Sequence, residues 1–184
     1  LLRSLAGVSL FGAGGVSSMP ALRGLGDDRL RVKVDGMDLI SACGNHMNPP
    51  MSYIDPTSVD TIEVMAGVTP VSQGGDSIGG SILVDSIPPQ FAETGDDAIA
   101  SAEAGSFYRS NGDAMGANLN ATTANDSVGI RYSGAYATAN NYRAGDDFKA
   151  AGPAAEGRGK LAADEVGSTY YETQNQKLGL AARR

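Results

Sequence analysis

Tryptophan is absent from this 184-residue chain, cysteine and histidine occur once each, and aromatic residues make up only 6% of it. One cysteine rules out an internal disulfide and leaves a residue that is either buried packing or a reactive or ligating thiol. With one histidine and no matched nucleophile, no nucleophile–base–orienter set can be assembled, so no enzymatic activity is expected. Cations are few: 14 Lys and Arg against 21 Asp and Glu leave a net charge of −7, which argues against nucleic acid as a partner. No apolar run approaches the roughly 20 residues of a membrane helix. A β-barrel span needs no such run, because its signal is alternation over about ten residues. The glycine-rich "GGDSIGG", residues 74–80, lacks the lysine of a phosphate loop. Both ends, "LLRSLAGVSL" and "LGLAARR", read as the interior of a longer chain.

Glycine is plentiful, at 25 residues, and punctuates the first half into short mixed elements. "DRLRVKVDG" predicts a strand with Leu30, Val32 and Val34 on one side and Arg29, Arg31 and Lys33 on the other, closed by a tight turn at Asp35-Gly36. In "IDPTSVDTIEVMAG", Asp55 followed by Pro56 is a helix-start signal that runs into a strand around Ile62 and Val64. A further strand at Ile82 to Val84 ends at Pro88-Pro89.

Beyond Pro89 the period becomes two. Ala100, Ala102 and Ala104 oppose Ser101, Glu103 and Gly105. Met115, Ala117, Leu119 and Ala121 oppose Gly116, Asn118, Asn120 and Thr122. Val128, Ile130, Tyr132 and Tyr136 oppose Gly129, Arg131, Ser133, Ala135 and Ala137. "RSNGD" and "TANDS" turn these pairs. A long polar stretch over 140–169 comes next, and a weaker alternation of Leu178, Leu180 and Ala182 against Lys177, Gly179 and Arg183 closes the chain. This pattern suits a barrel wall with lipid outside and water or a plug inside. A half-solvated sheet of a soluble sandwich gives it equally.

One stretch concentrates the scarce residues. "SACGNHMNPPMSY", residues 41–53, holds the only cysteine, the only histidine and two of the six methionines. Thiolate and thioether are the soft donors that favour cuprous copper over harder ions. Gly44 and Asn45 permit a tight loop, and Pro49 and Pro50 stiffen its exit. From the residues alone, Cys43, His46, Met47 and Met51 are as readily packing side chains as ligands.

Four stretches resemble TonB-dependent outer-membrane receptors, in that family's order. "LLRSLAGVSLFGAGGVSSMPALRGLGDDRLRVKVDGM" is similar to the glycine-rich start of the plug, its "LRG" and its strand ending in "DG". "IDPTSVDTIEVMAG" resembles the plug's "V-x-x-I-E-V-x-x-G". "GGDSIGGSILV" resembles the motif that ends the plug, and the alternating strands fall where the barrel begins. The resemblance implies an α+β plug domain over residues 1–88. It implies that 97–184 are the antiparallel strands opening a truncated transmembrane β-barrel, about four of some 22. It also implies the outer membrane of a Gram-negative bacterium as location, TonB as energy-coupling partner and outer-membrane lipid as surroundings. The TonB box is not in the sequence.

Within the family, "SACGNHMNPP" resembles the plug loop of copper receptors of the OprC (NosA) type, in which a C-x-x-x-M pair ligates copper. Carried over, Cys43 and Met47 are the metal ligands, with His46 and Met51 as outer-shell candidates. The cargo is a copper ion, cuprous by its donors, free or on a carrier. The family completes its site with a His-x-Met from the barrel, and this chain has none. The resemblance further implies that Arg23, Arg29, Arg31 and Lys33 face acidic groups of the barrel lining, with Glu63 also at that boundary. Asp146, Asp147, Asp164 and Glu165 read as a solvated loop. The alternatives are a siderophore or cobalamin receptor and, in another class, a soluble extracellular β-sandwich binding module.

Overall fold

The computed structural model describes residues 2, 5–13, 16–41, 44, 48–73, 77–93, 98–149 and 161–183. They form three separate sheets. The first holds β1 (Val8–Ala13), β2 (Ser17–Leu22) and β3 (Leu25–Gly26) in antiparallel order. The second holds β4 (Leu30–Val34), β5 (Met37–Leu39), β6 (Val59–Ala66) and β7 (Gly80–Ser86), in the order β5-β4-β7-β6. The third holds β8 (Ile99–Arg109), β9 (Ala114–Ala124), β10 (Val128–Ala139) and β11 (Tyr171–Ala182), all antiparallel neighbours.

The second sheet surrounds the core. Leu30 and Val32 from β4 and Ile82 and Val84 from β7 are buried with Leu2 and Leu22. Each such side chain withdrawn from water contributes about 1.5–3 kcal/mol. β7 lies between β4, which it pairs in parallel, and β6, which it pairs antiparallel. That central place explains its continuous apolar run. Gly80 opens β7 at φ +124°, and a Cβ there would lie 2.1 Å from the carbonyl oxygen of Met65, so only glycine lets β6 and β7 meet.

The Asp35-Gly36 turn forms as the sequence indicates. Both residues have positive φ, 50° and 79°, the two-residue hairpin geometry that joins β4 to β5. The Asp55-Pro56 signal opens a single 3-10 turn over Pro56–Ser58 and no longer helix. Thr57 and Val59 are β-branched, and the chain passes into β6 at once. The helical elements among the described residues are all short 3-10 turns. Asp55 caps this one, its carboxylate accepting from the Thr57 amide at 2.9 Å. Replacing Asp55 with alanine is expected to cost about 1 kcal/mol, within the usual range for a lost cap. Faster amide exchange over residues 57–60 is the readout.

β9 and β10 have the alternation expected of them, whereas β8 is exposed on both faces from Ala100 onward. On β9, Gly116, Asn120 and Thr122 are buried while Met115, Ala117 and Leu119 are exposed. On β10, Ile130, Tyr132 and Tyr136 are exposed and Ser133 is buried, with Arg131 half-buried. Outward Gly134 leaves room for the ring of Tyr132, whose hydroxyl would lie 2.5 Å from a Cβ at that position. The β9–β10 turn is closed by Asn125, whose side-chain oxygen accepts from the amides of Ser127 (2.9 Å) and Val128 (2.7 Å).

β11 starts at Tyr171, earlier than the closing alternation indicates. Its first outward residues, Glu172, Gln174 and Gln176, are polar, so hydrophobicity carries no period there. Pairing with β10 extends the strand instead. In the long connection before it, Arg143 pairs with Asp164 at 2.8 Å, and Asn141 donates to Glu165 at 2.7 Å. The Asn141 bond, then the Ala162 amide and the nearby charges of Arg143 and Lys149, hold the Glu165 carboxyl below its usual range. Asp164 and Glu165 are thus tied into the loop's own structure, while Asp146 and Asp147 are exposed.

Candidate metal centre

β5 delivers the chain to the sulfur-rich loop. Leu39 pairs with Val32, so the loop leaves at the end of the sheet where β4 begins. Cys43, His46 and Met47 lie outside the described residues, and so does any geometry between them. Their surroundings are described. Gly44 and Asn48 are exposed. Pro49 is among the most completely buried side chains of the protein. Its carbonyl accepts from the Ser52 amide at 2.8 Å and the Ser52 hydroxyl at 2.6 Å. This bond pair starts the 3-10 turn Pro50–Tyr53. The loop is therefore tethered on one side by a β-ladder and on the other by a buried proline.

Met51, within that turn, is partly buried against the core cluster. An open cleft of about 310 Å³ runs beside the loop, with Ser41, Pro49 and Pro50 among its lining residues. Its charged lining includes Arg31 and Asp38, joined through two bonds of 2.5 and 2.6 Å. The Arg31 guanidinium holds the exposed Asp38 carboxyl below the usual carboxylate range, so this group is ionised at neutral pH. Arg31 thus has an acidic partner on its own hairpin, where sequence reasoning placed its partner on the barrel. Among the described residues, no group of three or more His, Cys, Asp or Glu is arranged to hold a metal.

The opposite end of the second sheet meets the third sheet. Lys177, on the inward face of β11, donates to the carboxylate of Asp35 and to the hydroxyl of Ser86. Asp35 also accepts from the Ser86 amide at 2.8 Å and the Ser86 hydroxyl at 2.9 Å. Partial burial pushes the Asp35 carboxyl upward, but the bonds from Lys177 and Ser86 together outweigh it, and its pKa lies below the ordinary value. Nearby, the Asn120 amide donates to the Thr57 carbonyl at 3.4 Å. The linker runs along the same boundary. The Ala92 amide donates to Asn125 at 3.0 Å, and its carbonyl accepts from Arg183 at 2.9 Å. Neither Asp35 nor Lys177 stands out in the sequence as a boundary residue. The available signal was Lys177 on the inward register of the closing alternation.

Residues 1–81 match the family model described as the TonB-dependent receptor plug domain. These residues are a TonB-dependent receptor plug. The fold of the whole chain agrees. The copper transporter OprC superposes with a TM-score of 0.79 at 24% identity, covering 99% of this chain and 25% of that one. The FrpB iron transporter from Neisseria meningitidis gives 0.70 at 17% identity, covering 100% and 26%. A ferric enterobactin receptor, PfeA, from Pseudomonas aeruginosa gives 0.56 at 17% identity, covering 77% and 22%. No curated protein shows significant similarity. The chain spans about a quarter of the length of these structures. Its fold is that of a receptor plug followed by antiparallel wall strands, and its place is the Gram-negative outer membrane. The soluble sandwich reading does not survive the plug match.

Proposed function

We propose that the chain is part of a TonB-dependent importer that takes copper across the outer membrane, acting as a carrier and not as an enzyme. Residues 1–88 serve as plug and 97–184 as the first wall strands, set in outer-membrane lipid and driven by TonB. The observation that carries the copper reading is the C-x-x-x-M pair, Cys43 and Met47, in a loop tethered at both ends. Sulfur donors favour the cuprous ion. The loop leaves the plug at the end away from the wall linker. The likeness to a copper transporter points the same way. His46, next to Met47 in sequence, is assigned an outer, supporting role. Met51 belongs to the packing against the plug core. Cargo is the copper ion itself or a copper carrier that yields it to the sulfurs.

The second reading, a siderophore receptor, draws on the likeness to an iron transporter and a ferric enterobactin receptor. Metal analysis of the full-length receptor separates the two. After parallel exposure to copper and to a ferric siderophore, stoichiometric copper and no retained siderophore is the expected result. Retained siderophore without copper overturns the copper reading.

A further inference from the structure

We propose that Asn111 is a modification site: its side-chain amide clips two neighbouring loops together, and deamidation of that same amide opens the clip irreversibly. Asn111 lies in the turn Asn111–Asp113 between β8 and β9, at the end of the wall that also carries the long connection from β10 to β11. Its side chain pairs with the backbone of Arg143 in both directions. Oδ1 accepts from the Arg143 amide at 2.7 Å, and Nδ2 donates to the Arg143 carbonyl at 2.9 Å. One side chain thus takes the place of a strand partner. A backbone bond lies beside it, the Asn140 amide donating to the Gly112 carbonyl at 2.8 Å. What the clip holds is the base of the long connection. Arg143 is bonded onward to Asp164, the Ala144 amide donates to the Asp164 carbonyl at 2.7 Å, and the Val166 amide donates to the Tyr142 carbonyl at 2.9 Å.

Asn111 precedes Gly112, the only asparagine–glycine pair in these 184 residues. Glycine has no side chain to shield its amide, so an asparagine before it is open to attack by its own backbone. The Gly112 nitrogen bonds to Cγ of Asn111, and the bond from Cγ to Nδ2 breaks. Nδ2 leaves as ammonia, taking the proton of the Gly112 amide, and a succinimide ring remains. Water then opens the ring to aspartate or isoaspartate. The sequence consumes one water and needs no oxidant, metal or enzyme. At neutral pH either product is a carboxylate, which accepts hydrogen bonds and donates none. An oxygen then faces the Arg143 carbonyl where the Nδ2 donor stood, and the two repel.

The closed clip opposes this reaction. Attack requires Cγ to swing toward the Gly112 nitrogen, whereas both polar atoms of the amide are held on Arg143. Gly112 is itself confined, at φ +76° and with the Asn140 carbonyl oxygen 2.8 Å from where a Cβ would stand. Modification therefore proceeds from the open state, and it removes the donor that reclosing needs. The inference is independent of which cargo the receptor carries.

The test uses the full-length receptor in lipid. Wild type is kept folded, or unfolded in denaturant, at the same pH and temperature, and mass spectrometry follows deamidation of the peptide that contains Asn111. The folded receptor should deamidate about tenfold or more slowly, the factor that two hydrogen bonds supply. Equal rates overturn the proposal. Deuterium uptake over residues 140–144 is then compared in wild type, Asn111→Ala and Asn111→Asp. Asn111→Ala loses both bonds and should raise uptake about tenfold. Asn111→Asp, the direct product of deamidation, loses the donor alone and should raise it about two- to fivefold. Wild-type uptake in Asn111→Ala overturns the clip, and wild-type uptake in Asn111→Asp overturns its opening by deamidation. If the variants fail to assemble, the folded and unfolded rates of wild type decide.

Discussion

Cys43→Ala in the full-length receptor is expected to abolish tight copper binding. The thiolate is the strongest donor in the loop, and it carries the negative charge that best offsets the cation. Met47→Ala should weaken binding without unfolding the plug, because β5 and buried Pro49 support the loop on either side. His46→Ala should change little, which separates a cysteine–methionine site from a generic cysteine–histidine one. The 184-residue chain alone should bind weakly, since two sulfurs leave the ion with open positions. Copper content of purified receptor after copper exposure, wild type beside the three variants, is the measurement. Undiminished copper in Cys43→Ala would reduce this stretch to an ordinary plug loop.

Leu119→Arg carries the largest expected effect on stability. Leu119 points outward from the middle of β9, and a cation there would sit near the centre of the lipid-facing band. The cost at that depth is about 2–4 kcal/mol in a full-length barrel. Ile130→Arg should cost closer to about 1 kcal/mol, because Ile130 is the second outward residue from the short Asn125–Ser127 turn and lies nearer the interface. Arg131→Ala, on the inward face, loses a 3.2 Å bond to the Thr122 hydroxyl, worth about 0.5–1.5 kcal/mol. Urea titration of the receptor in lipid ranks the three. An inward change costlier than Leu119→Arg would place the register off by one residue.

Much of the wall was legible because lipid and water impose opposite demands on successive residues. Met115, Leu119, Ile130 and Tyr136 announce their face by period alone. β11 was legible only where its outward residues are apolar, at Leu178 and Leu180. Upstream, Gln176, Gln174 and Glu172 break the signal although the ladder continues. In the plug, Asp35-Gly36 was readable because few residues accept positive φ in succession. Asp55-Pro56 overstated the helix, since a start signal carries no information on the length of the helix it opens. The metal loop was visible as composition and as likeness. The Asp35–Lys177 contact was not, because a lone aspartate in a turn and a lone lysine on a strand declare nothing until the fold sets them together. At that contact the acid stands on the plug and the cation on the wall.

The parallel pairing of β4 with β7 sets an order of events during folding. Leu30 finds Gly80 only by closing the whole intervening segment, and such distant pairings close slowly. Until then, the core has no central strand, Ile82 and Val84 are in water, and the Pro49 anchor has no cluster to enter. On the copper reading, Cys43 should be open to oxidation during this interval. Among these 184 residues it has no second thiol with which to pair. Its hazards are other molecules and oxidants, so the yield of active receptor should depend on how quickly β7 docks.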